Sequence, residues 1–192
     1  MYNRFIESMK IPKEAKRVFE GIIYDTYQWK QKMFDGSYKT FEMLKRRDSV
    51  EVIATCKNKI YIGFQSQPVR KDFYCFFGGR VEHNEDPLAT AKRELLEEGG
   101  MVSDEWELWK MYESDHNINW YHYIYIARNA YKTGEQMLDS GEKIEIREVT
   151  FDEFVNLLDV DNYYWGTEFL VEMYRMKQQG KLNKFKEKLF SL

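Results

Sequence analysis

The sequence predicts an α/β (α+β) fold: a mixed β-sheet sandwiched between helices, preceded by an N-terminal antiparallel β-hairpin extension. Three observations predict it. Short β-prone runs recur along the chain, one glycine-bounded helix interrupts them after residue 86, and helical spacing takes over from residue 150. Hairpin, strands, helix, strands, helix, helix is an order that covers both faces of one sheet.

Residues 1–9 are expected to form a short helix ended by Pro12. Residues 18–34 are aromatic and β-prone, Asp35-Gly36 is a strong hairpin signal, and residues 38–44 alternate. Residues 50–55, a Lys57-Asn58 turn and residues 60–65 read as a second hairpin, with Val50, Val52 and Ala54 on one face. Pro68 ends that strand, residues 69–72 read as loop, and residues 73–77 form a short strand leading into Gly78-Gly79. Further on, residues 102–104 are loop, 106–112 strand, 114–119 a polar loop holding His116, and 120–127 strand. A long polar segment follows over residues 129–140, then a strand over 142–149. Thr150 and Glu153 form a capping box for a helix to about Leu158. Residues 165–178 are amphipathic, with Phe169, Met173 and Met176 at helical spacing. Residues 182–192 are a basic helix or tail whose lysines read as a solvated face.

At 192 residues the chain is one domain with extensions, and 43% hydrophobic and 17% aromatic residues supply a sizeable core. A net charge of −3 leaves no basic footprint for nucleic acid. No apolar run approaches the roughly 18 residues that span a bilayer, so no membrane role is expected. Residues 1–10 do not read as a signal peptide. Cys56 and Cys75 lack metal-like spacing and do not suggest a disulfide scaffold, so a reducing cytoplasm is the expected location.

The chemistry concentrates in residues 79–101. Glu94, Glu97 and Glu98 stand at i, i+3 and i+4, within an arc of roughly 100° on a helix. Such close like charges repel, and a divalent cation on that face removes the repulsion. Carboxylate oxygens favour Mg²⁺ or Mn²⁺ over Zn²⁺. Asp86 suits the N-cap, Pro87 the first helical position, and Gly99 and Gly100 the left-handed C-cap. Leu88, Ala91 and Leu95 form the apolar stripe. Arg93 lies one turn before Glu97 and can hold that carboxylate. Gly78 and Gly79 let the backbone approach a ligand closely.

Gly79, Glu85, Arg93, Glu94, Leu95, Glu97, Glu98, Gly100 and Met101 match the box of the Nudix family at every fixed position, and the chain resembles a Nudix hydrolase. That resemblance implies a Nudix-type sheet between helices and a metal held by Glu94, Glu97 and Glu98, with the Gly78 carbonyl as a further oxygen. Glu85 is left with two roles, ligand or partner of Arg93. Arg93 joins the catalytic set as an orienting group. The proton acceptor is either a box glutamate, with Glu97 on the carboxylate face, or a later loop glutamate. Glu142 is the loop candidate and Glu145 the reserve, against the plain reading of Glu142 as a solvated turn residue.

The flanks are similar to the ADP-ribose pyrophosphatase branch. The match runs through residues 24–29, 34–37, 40–42 and 46–50 and the acidic loop 139–145. No proline follows the box where ADP-ribose hydrolases often carry one. The branch implies a small-molecule nucleotide substrate, ADP-ribose first, and a homodimer that exchanges N-terminal hairpins. Residues 1–47 are then an extension serving as dimerisation element, and 48–192 the hydrolase domain with its C-terminal helices. Trp29 and Phe34 can offer a nucleobase a flat surface or merely pack the hairpin. Arg70 can meet substrate phosphate or stand as a solvated loop charge. Other substrates in this reading are another nucleoside diphosphate sugar or a dinucleotide. A nucleotide sensor without catalysis has no need of all three box glutamates.

Overall fold

The computed structural model describes residues 11–114 and 117–190. The helix expected over residues 1–9 lies outside the described residues. Strands β1 (Lys16–Phe19), β2 (Asp25–Lys32) and β3 (Tyr38–Lys45) pair antiparallel in sequence order. At the β2–β3 turn, Gly36 takes φ +84° and its N–H reaches the Met33 carbonyl at 3.0 Å. Only glycine adopts that conformation without steric cost. Asp35 accepts from the Ser37 N–H and hydroxyl and closes the turn.

The central strands are β4 (Ser49–Cys56), β5 (Lys59–Gln67), β6 (Arg70–Cys75) and β7 (Phe77–Arg80), followed by helix α1 (Pro87–Gly99). Then come β8 (Met101–Val102), β9 (Glu105–Glu113), β10 (Ile118–Asn119), β11 (Tyr121–Arg128), β12 (Tyr131–Lys132) and β13 (Lys143–Thr150). Helices α2 (Phe151–Asn156), α3 (Thr167–Gln178) and α4 (Leu182–Phe190) close the described chain, with a 3₁₀ turn at Leu157–Asp159.

The main sheet runs β13-β5-β4-β11-β9, with β6 added to β5 and β7 to β4. β4 and β11 are parallel and the other pairings antiparallel, so the sheet is mixed. β4 and β11 are buried on both faces, as their near-continuous apolar runs require. On one face Ile53, Ile62, Ile124 and Ile126 pack under Phe154, Phe169, Met173, Phe185 and Leu189 of α2, α3 and α4. On the other, Val50, Val52, Phe77 and Tyr125 pack against Ala91 and Leu95 of α1. The sandwich is therefore as the sequence reads, and α4 belongs to the core through Phe185 and Leu189. Thr150 and Glu153 form the capping box of α2.

Four segments differ from the sequence reading. Residues 69–72 read as loop in the sequence, yet β6 already starts at Arg70. Ser66 hydrogen-bonds Asp72 at a bulge, and exposure of both faces there erases the apolar alternation. Met101–Val102 and Tyr131–Lys132, both read as non-strand, pair with each other. Ile118–Asn119, inside the expected polar loop, pairs parallel with Leu44–Lys45 and adds β10 to the small sheet. Such two-residue strands are too short for any period to be read. The outer edge of β6 is covered by residues 162–164: the Tyr74 N–H donates to the Asn162 carbonyl, and the Tyr164 N–H to the Tyr74 carbonyl.

Candidate active site

β7 delivers the chain to the site. Gly78 pairs with Glu51, and Gly79 with Val50. A Cβ on Gly78 would stand 2.2 Å from the Val50 carbonyl oxygen, and one on Gly79 2.2 Å from Glu94 Oε1. Backbone therefore excludes a side chain at Gly78, while at Gly79 one would displace the Glu94 carboxylate. Helix α1 starts on Asp86, whose carboxylate accepts from Leu88 N–H at 2.9 Å and Ala89 N–H at 3.3 Å. It ends on Gly100 in the left-handed conformation, φ +59°.

Arg93 gathers the acidic residues. Its Nε and Nη2 grip Glu85 at 3.1 and 3.2 Å, and its Nη1 lies 2.9 Å from both Glu94 and Glu97. Of the two roles open to Glu85, the structure shows the partnership with Arg93. That guanidinium holds the Glu85 carboxyl down at about 2. Glu98 points inward, 6% exposed, and accepts the Gly78 N–H at 2.7 Å. Burial pushes its carboxyl well above the ordinary range, and Glu94, Glu142 and Glu97 add to the rise. Burial also raises Glu94 against the pull of Arg93. Glu142, just before β13, is raised by burial and then by Asp139 and Glu97, so the loop carboxylate shares the field of the box.

The structure thus brings Gly78, Glu85, Arg93, Glu94, Glu97 and Glu98 together by hydrogen bonds around α1, with Glu142 near enough for its charge to help raise Glu98. Glu145 instead pairs with Arg147 at 2.9 Å. Among the described residues, no three His, Cys, Asp or Glu side chains already form a closed metal cage. The reason is visible: Arg93 occupies Glu94 and Glu97, and the Gly78 N–H occupies one oxygen of Glu98. The chemistry of the set still fits a hard divalent cation. All its donors are oxygens, and a buried Glu98 ionises readily only beside added positive charge.

Trp29, Phe34 and Arg70 stand elsewhere. Trp29 packs on Phe41, ring centroids 5.9 Å apart, and its Nε1 donates to Gln31. Phe34 sits fully exposed at the hairpin tip. Arg70 donates to the Tyr163 carbonyl at 2.6 Å between the rings of Phe73 and Tyr164. Among the described residues, no hydrogen bond, ion pair or ring contact joins these three to the box. His83 is exposed, and His116 lies outside the described residues.

The sequence reading missed two features. Buried His122 places Nδ1 2.8 Å from Ser49 Oγ and Nε2 3.3 Å from Glu51, while Trp120 Nε1 donates to the same hydroxyl. Gln136 ties the long polar segment to α1. Neither carries a local sequence signal. Cys75 is buried beside Gln65, and burial raises its thiol, so it is no thiolate ligand. Both cysteines are free.

The NUDIX domain model matches residues 45–169. The chain belongs to the Nudix family. It is a Nudix pyrophosphohydrolase related to the ADP-ribose pyrophosphatases, in a family whose hydrolases generally use a divalent metal. The chain is 26% identical over 178 residues to the ADP-ribose pyrophosphatase of Bacillus subtilis (strain 168), covering 90% of this chain and 95% of that protein. It is 26% identical over 171 residues to a methanol dehydrogenase activator of Bacillus methanolicus, covering 87% and 92%. A crystal structure of an ADP compounds hydrolase superposes with a TM-score of 0.68 at 17% identity, over 88% of this chain and 95% of that one, a likeness of fold. No helix among the described residues is long and apolar enough to cross a membrane.

Proposed function

We propose that this Nudix hydrolase cleaves the pyrophosphate linkage of ADP-ribose, with Mg²⁺ or Mn²⁺, to give AMP and ribose 5-phosphate. The observation that carries it is the gathering of Glu94, Glu97, Glu98 and Glu142 with a single guanidinium, Arg93, among them. The Bacillus subtilis relative supports the choice of ADP-ribose.

A pyrophosphate is anionic and resists water, so hydrolysis needs charge neutralisation, positioning and a deprotonated water. A divalent ion held by Glu94, Glu97, Glu98 and the Gly78 carbonyl supplies the neutralisation and makes water easier to deprotonate. Arg93 keeps Glu94 and Glu97 aimed along the face. Glu142 or Glu97 takes the proton from the attacking water. Trp29 and Phe34 offer apolar surface to the base, and Arg70 a cation to phosphate once released from Tyr163. The reading includes a homodimer built on residues 1–47. Val18, Phe19, Ile22 and Ile23 leave an exposed apolar surface there that a second copy would cover.

The Bacillus methanolicus relative matches at the same identity over nearly the same length, which favours a second reading. In it the substrate is another nucleoside diphosphate conjugate or a dinucleotide. A panel of ADP-ribose, other nucleoside diphosphate sugars and dinucleotides, assayed for released nucleotide in Mg²⁺ and Mn²⁺, separates the two. Highest kcat/KM on ADP-ribose supports the first. Preference for another conjugate replaces the substrate, and turnover of none leaves a nucleotide-sensing module.

A further inference from the structure

We infer that Gln136 is a positioning residue that holds the loop carboxylate Glu142 at its working distance from the Nudix helix. The inference rests on the reading above, in which Glu142 takes part in the hydrolysis. The last carbonyls of any helix lack partners within it. At the end of α1 the segment 133–137 supplies them. The Glu97 carbonyl accepts the Met137 N–H at 2.7 Å, and the Gly100 carbonyl accepts from Thr133 and Gly134 at 2.9 and 3.3 Å. The Glu98 carbonyl accepts Gln136 Nε2 at 2.7 Å.

The same Nε2 also donates to the Ile144 carbonyl at 3.0 Å. Ile144 lies on β13, two residues beyond Glu142. One half-buried amide thus spends both its hydrogens joining the turn that carries Glu97 and Glu98 to the strand that Glu142 immediately precedes. The bridge holds together two segments that carry like charges. Glutamine's two nearest relatives cannot make it: asparagine is a methylene too short, and glutamate has no hydrogen to donate when ionised. Gln136 touches no reacting atom in this scheme. It acts through Glu142.

The test uses the full chain. Gln136→Met keeps length and removes both donors, whereas Gln136→Lys restores donors at similar reach. In Gln136→Met, amide hydrogen exchange over residues 133–142 is expected to rise by about tenfold or more, with the main sheet unchanged. Unchanged exchange there overturns the bridge, whatever the substrate proves to be. On the best substrate of the panel, kcat is expected to fall roughly 10–100-fold with KM within about threefold. Gln136→Lys is expected to recover most of that loss, which a packing role would not allow. In a Glu142→Gln background, Gln136→Met is expected to change kcat by less than about twofold, because the group it places is already lost. Losses that multiply in the double variant overturn the positioning role. A chain that turns over nothing defeats the hydrolase reading instead, and the exchange measurement alone then decides whether Gln136 forms the bridge.

Discussion

The Glu98 carboxylate accepts the Gly78 N–H at 2.7 Å, joining the inward face of the Nudix helix to the strand end that precedes it. This contact fixes the height of the helix over the sheet. It also buries an acid whose ionised form has one backbone donor to lean on.

The first prediction concerns pH and metal. Burial raises Glu98, and also Glu94 and Glu142. A carboxyl whose folded pKa is raised binds more protons folded than unfolded. Its contribution to stability is present below the unfolded value of about 4.3 and is lost as pH rises through the folded value. Above that window the metal-free protein carries a cost that Glu98→Gln removes. Without metal, Glu98→Gln is therefore expected to melt higher than wild type near neutral pH, with the gap closing towards roughly pH 4. Mg²⁺ or Mn²⁺ is expected to raise the wild-type Tm most at the higher pH and to raise that of Glu98→Gln least. Thermal melts at several pH values, with and without metal, check both.

The second prediction separates two adjacent glycines. A Cβ on Gly78 meets the Val50 carbonyl and the Glu51 Cα, backbone that cannot turn aside. Gly78→Ala is expected to cost about 2 kcal/mol or more, read by urea unfolding. A Cβ on Gly79 meets only the end of the Glu94 side chain, which can swing away. Gly79→Ala is expected to cost less stability and to lower turnover, because Glu94 is displaced.

The third prediction concerns Arg93. Its planar fork serves three carboxylates at once, a geometry a lysine ammonium does not reproduce. Arg93→Lys keeps the charge, so a purely electrostatic role would leave turnover near wild type. The expected result is a fall in kcat of roughly 10²-fold with the fold intact, measured beside a circular dichroism melt.

Local signals carried much of the fold into the sequence. Asp86, Pro87 and Gly100 bound α1 as their side chains and backbone require, and Thr150 with Glu153 marks the start of α2. The Arg93–Glu97 pair follows from i, i+4 spacing alone. What stayed hidden depends on partners far away in the chain. β10 exists because Leu44 and Lys45 lie beside it, and β8 because Tyr131 and Lys132 do. Gln136 reaches Glu98 across 38 residues, and His122 reaches Ser49 across 73. A glutamine in a polar segment and a histidine in a strand look the same whether or not such a partner waits for them. The carboxylates of the box were legible as a set, but their closure around Arg93 was legible only in part.

The most direct test of the central claim follows AMP release from ADP-ribose by the wild type and by Glu97→Gln, each with Mg²⁺ or Mn²⁺ and with a chelator. The wild type is predicted to release AMP and ribose 5-phosphate with metal and nothing with chelator, and Glu97→Gln to release neither at an unchanged Tm. Equal turnover by Glu97→Gln, or wild-type turnover that survives the chelator, would contradict it.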